Sequence, residues 1–151
     1  MTDMKLLLVD DETRFLETTQ KVLSRKGLTV DVAGSGREAL SLLAGRPIHV
    51  VILDVKMPEM DGVATLKEIK RLWPMIEVIM LTGNATVESA IEGLKAGAFD
   101  YLMKPCDIDD LIGKAREAYE KMQLHEQKIR MAQSRTYMKS PREILKQTDE
   151  T

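Results

Sequence analysis

Cysteine is nearly absent from this chain. Its 151 residues include one, Cys106, so no intrachain disulfide can form and no cysteine-built zinc site can assemble. Histidine occurs twice, at His49 and His125, which leaves out a histidine-rich metal site. Long apolar runs are missing as well. The N-terminal stretch Leu6-Leu7-Leu8-Val9 is too short for a signal-peptide core and far too short to span a bilayer. Neither sign of charge dominates. The 22 Lys+Arg and 24 Asp+Glu leave a formal net charge of −2, which makes no electrostatic case for nucleic acid, so neither direct DNA binding nor a membrane is expected. With 44% hydrophobic and 30% charged residues, the chain reads as a globular protein of one domain with a short appendage. A reducing cytoplasm is its simplest home.

Charge divides unevenly along the chain. Residues 1–113 hold 13 Lys+Arg and 18 Asp+Glu, and residues 114–151 hold 9 and 6, giving −5 and +3. The basic part has no glycine and a single proline, Pro141. A soft boundary is therefore expected near residue 120, with a domain over 1–121 and a helical or partly disordered extension over 122–151.

In the acidic part, short apolar runs alternate with helical patterns. Runs at residues 6–9, 28–33, 49–53, 76–81 and 99–103 predict five strands. Between them, apolar residues recur at three and four positions, as at Phe15, Leu16, Thr19, Val22 and Leu23. Strands alternating with helices predict a parallel sheet covered on both faces. Ligands of such sheets bind at the carboxyl ends of the strands. Asp10 and Asp11 stand after strand one, Asp54 after strand three, Thr82 after strand four and Lys104 after strand five.

A lone Asp at a strand end is ordinarily a turn or cap residue. Taken together these five have a chemical logic. Clustered carboxylates repel unless a hard cation neutralises them, and Mg²⁺ takes oxygen ligands. Metal, ammonium and hydroxyl together are what a transferring phosphoryl group needs. Asp54, alone at its strand end, is the carboxylate left for nucleophilic attack.

The segments Leu8-Val9-Asp10-Asp11-Glu12, Ile52-Leu53-Asp54-Val55-Lys56-Met57-Pro58, Met60-Asp61-Gly62, Met80-Leu81-Thr82-Gly83 and Gly97-Ala98-Phe99-Asp100-Tyr101-Leu102-Met103-Lys104-Pro105 resemble the receiver domain of two-component response regulators. The resemblance runs from residue 4 to about 121. It implies a flavodoxin-like, doubly wound α/β fold of five parallel strands in the order 2-1-3-4-5. It implies that Asp54 accepts a phosphoryl group from a sensor histidine kinase. Asp10, Asp11, Asp54 and the backbone carbonyl of Lys56 would hold Mg²⁺, with Asp10 acting largely through water. Thr82 and Lys104 would hold the phosphoryl oxygens, and Tyr101 would turn inward as the switch aromatic. The Lys104–Pro105 bond is expected to be cis. The resemblance also places Lys56 and Asn84 at positions where, in that family, side chains tune attacking water. Residues 78–110 are similar to receivers that, in longer proteins, precede ATPase activators of an alternative sigma factor.

Two other motifs are set aside. Gly34-Ser35-Gly36-Arg37-Glu38-Ala39 matches a dinucleotide fingerprint, but it follows strand two, whereas that fingerprint belongs to the first strand–helix turn. Asp54-Val55-Lys56 lacks the second carboxylate that an aspartyl-phosphate phosphatase needs. Cys106 reads as a small packing residue, Trp73 as a core residue or helix-end anchor, and His49 as facing solvent.

In the tail, Ile108, Ala115, Met122 and Ile129 keep a seven-residue spacing, although the companions Leu111, Ala118, His125 and Ala132 are weak. A homodimer through helix four, strand five and helix five is one expectation, and a helix fraying into solvent the other. Ser140-Pro141-Arg142-Glu143 resembles a capping box and predicts a short second helix. The expectation as a whole is a stand-alone signalling switch with no output domain, not an enzyme beyond its own phosphorylation and dephosphorylation. It would bind a downstream target protein. The alternatives are a phosphorelay intermediate serving a histidine phosphotransfer domain, and a phosphate sink that loses its phosphate to water.

Overall fold

The computed structural model describes residues 3–57, 60–83 and 87–150, without the side chains of residues 87 and 135–150. The elements alternate in chain order: β1 (Lys5–Val9), α1 (Thr13–Arg25), β2 (Thr29–Ala33), α2 (Gly36–Gly45), β3 (Val50–Asp54), α3 (Gly62–Leu72), β4 (Glu77–Thr82), α4 (Val87–Lys95), β5 (Asp100–Met103) and α5 (Ile108–Glu150). All pairings are parallel, and the sheet order is β2-β1-β3-β4-β5, as expected.

Helices cover both faces, and each face has its own core. Leu6, Leu8, Ile52, Ile79 and Leu81 point to one side, where Leu16, Leu23, Leu111, Ala115 and Ala118 meet them. Leu7, Val9, Val51, Leu53 and Met80 point to the other, against Ala39, Leu43, Leu66 and Ile69. Burial on both faces explains why β3 and β4 read as apolar runs without alternation.

Local chemistry sets the helix ends. Ser35 caps α2 by accepting from the Glu38 N–H at 3.1 Å, and Asp61 caps α3 by accepting from the Ala64 N–H at 2.8 Å. Helices α1 and α4 close on left-handed glycines, Gly27 at φ 86° and Gly97 at φ 107°. The next residue's N–H then reaches back five positions, Leu28 to Leu23 and Ala98 to Gly93, a Schellman-type closure that also turns the chain into the following strand. Gly36 is explained by packing. A Cβ there would lie 2.2 Å from Thr65 Oγ1, so this glycine lets α2 approach α3.

Two expectations are corrected. α5 is one helix of 43 residues, and it continues through Ser140–Glu143, where a second helix was expected to begin. No glycine follows Gly113, and the helix runs on through Pro141 although proline removes one backbone bond and crowds the preceding turn. Among the described side chains of α5, those that serve the core lie in its first part: Leu111, Ile112, Ala115, Ala118, Tyr119 and Met122 are buried, whereas Leu124, Ile129 and Met131 are exposed. His49 does not simply face solvent. Its Nδ1 accepts from the Lys5 N–H at 3.0 Å, and its ring lies 4.9 Å from that of Tyr119. Burial, followed by the charge of Lys5, holds its pKa below the ordinary histidine value. No helix among the described residues is long and apolar enough to cross a membrane.

Candidate functional site

The strand order puts the carboxyl ends of β1, β3, β4 and β5 side by side. Asp54 is the last residue of β3, opposite Leu81, and Thr82 ends β4, opposite Met103. Lys104 follows directly, and its N–H donates to the Thr82 carbonyl at 2.8 Å, which fixes these two beside each other. The Lys104–Pro105 peptide is cis. The site is therefore a product of register: each polar residue sits one step past an apolar run that the core holds in place.

Carboxylate oxygens of Asp10, Asp11 and Asp54 lie within 4.8 Å of one another. Asp10 and Asp54 are buried and Asp11 is exposed. Asp10 accepts from the Glu12 N–H at 2.9 Å through Oδ1, and its Oδ2 is ion-paired with the Lys104 ammonium. Lys104 also reaches Glu12, at 3.5 Å. Asp54 Oδ1 has a long contact, 3.4 Å, with the Lys56 N–H. Among the described residues no ion pair joins Asp54 to Lys104.

Electrostatics follow from this arrangement. Burial and then the Asp10 charge push the Asp54 carboxyl up from 3.8 to about 6, against the opposing pull of Lys104 and the Lys56 N–H. Burial depresses the Lys104 ammonium, but its bond to Asp10 and the surrounding carboxylates outweigh that, and its pKa is raised.

An open cleft of about 260 Å³ is lined by Asp11, Glu12, Asp54, Lys56, Thr82, Gly83 and Lys104. Three hard oxygen donors, two of them removed from water, fit a divalent cation such as Mg²⁺ better than a soft metal. Five of the expected site residues, Asp10, Asp11, Asp54, Thr82 and Lys104, thus converge, and Lys56 joins the cleft wall. Tyr101 does not line the cleft. Its ring packs against the core between the sheet and α3, and its hydroxyl is buried with no hydrogen-bond partner among the described residues. Asn84 lies outside the described residues.

Three contributors had no assigned role in the sequence reading. Gly62 closes the back of the site. A Cβ there would stand 2.2 Å from the Asp54 carbonyl oxygen and 2.6 Å from Val55 Cα, while the Gly62 N–H donates to the Val55 carbonyl at 2.8 Å. Glu12 adds a carboxylate at the rim, and the Phe15 ring lies 4.2 Å from the Lys104 ammonium. The Asp-Gly pair after β3 was a signal for the first, whereas nothing in the apolar pattern marked the last.

Comparison with known proteins agrees with this fold. The family model described as "Response regulator receiver domain" matches residues 6–116. The chain is 47% identical over 109 residues to the transcriptional regulatory protein ZraR of Escherichia coli O157:H7, covering 72% of this chain and 25% of that one. It is 41% identical over 107 residues to the regulatory protein AtoC of Escherichia coli strain K12, covering 71% and 23%. The chain thus spans about a quarter of the length of the curated relatives it matches. Among solved structures, a CheY-like receiver domain protein from Methanospirillum hungatei JF-1 superposes with a TM-score of 0.78 at 31% identity, covering 82% of this chain and 99% of that one. Sequence, topology and site together establish that the chain belongs to the response regulator receiver domain family of two-component signalling.

Proposed function

We propose that Asp54 accepts a phosphoryl group from the phosphohistidine of a sensor histidine kinase, with Mg²⁺ bound, and that the phosphorylated chain presents an altered surface to a downstream target in the cytoplasm. The observation that carries this reading is the meeting of three carboxylates within 4.8 Å at strand ends shared with Thr82 and Lys104.

In the transfer, an Asp54 carboxylate oxygen forms a bond to phosphorus as the phosphorus–nitrogen bond breaks. The departing imidazole takes the electron pair and then a proton. Asp11, Asp54 and the Lys56 carbonyl would hold the metal, with Asp10 acting through water, and the bound cation would offset the charge spread over the phosphoryl oxygens. Lys104 places an ammonium at one side of those oxygens, and Thr82 places a hydroxyl at another. Burial of Asp54 disfavours its charge, and the Lys104 ammonium together with a bound cation would favour the ionised carboxylate that attacks phosphorus.

Phosphorylation adds about −1.5 to −2 charge and three acceptor oxygens at one point. Thr82 and Lys104 shift to meet them, and Tyr101 responds, since its buried hydroxyl gives up no hydrogen bond to a described residue when it moves. The face of α4, β5 and α5 is the surface that would change. Ile91, Leu94 and Met103 are exposed on it, in keeping with a protein partner, a second copy included. The receiver unit would end near residue 121, where α5 makes the last core contacts of its described side chains, at Tyr119 and Met122. Beyond that point α5 would serve as a helical connector or dimer element.

Intact mass after incubation with Mg²⁺ and acetyl phosphate tests this reading. One phosphoryl adduct on the wild type, absent from Asp54→Asn and from a chelated sample, is expected. Equal labelling of Asp54→Asn, or full labelling in chelator, would overturn it.

A further inference from the structure

The reading above leaves one strong contact of the site unused. The Lys104 ammonium carries three N–H donors and sits on a flexible four-carbon stem. Asp10 and Glu12 meet the ammonium on one side. Phe15 lies on another, with its ring centroid 4.2 Å from Nζ. That separation is well inside the range at which a ring face attracts a cation.

Phe15 is fixed where it stands. It occupies the first turn of α1, immediately before the buried Leu16, and its half-buried ring packs against the core formed by β1, β3, α1 and α5. Lys104 itself is 15% exposed, so the ammonium meets the ring largely out of water, where such an attraction is stronger than at a surface. Glu12, by contrast, is 67% exposed and 3.5 Å away, a weak and screened tether.

The resting ammonium is bound to Asp10, and no ion pair joins it to Asp54 among the described residues. To hold an incoming phosphoryl oxygen it must give up or share its bond to Asp10. A carboxylate tether competes with that oxygen for the same N–H donors. A ring face does not, because it attracts the ammonium without taking a hydrogen bond in the usual sense. We propose that Phe15 is a positioning residue for phosphoryl transfer: its ring keeps the Lys104 ammonium at the cleft while leaving the donors free to pass from Asp10 to the phosphoryl group. This role rests on the phosphoacceptor reading of Asp54. The bonds made and broken stay the same, oxygen to phosphorus forming as the donor's bond to phosphorus breaks. Phe15 acts only through where Lys104 stands.

The test is a double-mutant cycle with a spectroscopic control. Labelling rates with acetyl phosphate and saturating Mg²⁺ are measured for wild type, Phe15→Leu, Phe15→Tyr, Lys104→Met and Phe15→Leu/Lys104→Met. Phe15→Leu keeps an apolar side chain and loses the ring face, and it is expected to slow labelling about five-fold, while Phe15→Tyr keeps the wild-type rate. In the Lys104→Met background the Phe15→Leu change has no further effect. Independently of phosphorylation, the Lys104 ε-methylene protons resonate upfield in the wild type through the ring current, and the shift vanishes in Phe15→Leu. A wild-type rate in Phe15→Leu overturns the proposal. So does the same slowing in the Lys104→Met background, which marks a packing effect, or a lysine resonance without an upfield shift. A wild type that does not label at all overturns the phosphoacceptor reading and this role with it. Labelling that proceeds in wild type and Phe15→Leu alike removes only the role of Phe15.

Discussion

Asp54→Asn is expected to make the metal-free protein more stable. The folded chain holds the Asp54 carboxyl at about 6, against 3.8 for the free group, because burial and the neighbouring Asp10 disfavour its charge. A rise of that size, at about 1.36 kcal/mol per pH unit, corresponds to about 3 kcal/mol of destabilisation whenever the group is ionised in both states. Below pH 3.8 the carboxyl is protonated folded and unfolded, and no cost exists. The cost grows as pH rises through the window from 3.8 to about 6 and is complete above it. Asparagine keeps the shape and removes the charge. At pH 7.5 in chelator, Asp54→Asn should therefore melt higher than the wild type by roughly 6–12 °C, with the gap closing toward pH 4. Mg²⁺ should raise the wild-type midpoint and move the variant much less, because binding to the native state alone stabilises it. Scanning calorimetry or circular dichroism over this pH range measures both effects. A variant that melts at or below the wild type at pH 7.5 without metal would refute the reasoning, since the carboxylate cluster would then carry no repulsion worth relieving.

Three further outcomes follow from the same geometry. Gly62→Ala should cost about 1–3 kcal/mol in urea unfolding and slow labelling of Asp54, because the new methyl group must displace the Asp54 carbonyl 2.2 Å away. A chain ending after Gln123 should melt within about 2 °C of the full chain, since Met122 is the last buried residue among the described side chains of α5, and a larger loss in a thermal scan would place part of the core beyond it. His49 is held neutral by burial with its Nδ1 accepting from Lys5, so its contribution is present above the free value of 6.5 and lost as pH falls through its lowered folded value. His49→Asn, which keeps an acceptor that does not titrate, should therefore lose less stability between pH 7 and 5 than the wild type does.

The strands and their polar ends were legible because a doubly covered parallel sheet writes itself as short apolar runs, and the residue that breaks each run is the one at the site. Asp54 after Ile52-Leu53 and Thr82 after Met80-Leu81 are read in this way. Contacts that cross the chain were not. Nothing in the neighbourhood of His49 marks it as an acceptor for Lys5 or a neighbour of Tyr119, 70 positions away. Phe15 fits the helical apolar pattern of α1, and its second face, toward Lys104, appears only when the fold brings the Lys104 ammonium across the carboxyl edge of the sheet to Asp10 and Phe15. Gly62 stands in a segment that carries the family resemblance, but its reason, the Asp54 backbone filling the space a Cβ would need, appears only in the fold. The capping pattern at Ser140 was a sound local signal that lost to the helix already running through it.

The most direct measurement is the identity of the modified residue. The chain is phosphorylated in Mg²⁺, treated with borohydride and mapped by tandem mass spectrometry. Hydride reduces an acyl phosphate to an alcohol with loss of phosphate, so an aspartyl phosphate becomes homoserine. The account predicts homoserine at position 54 and at no other aspartate, formed only when Mg²⁺ was present. Unreduced Asp54 in a chain that carries phosphate elsewhere would contradict it.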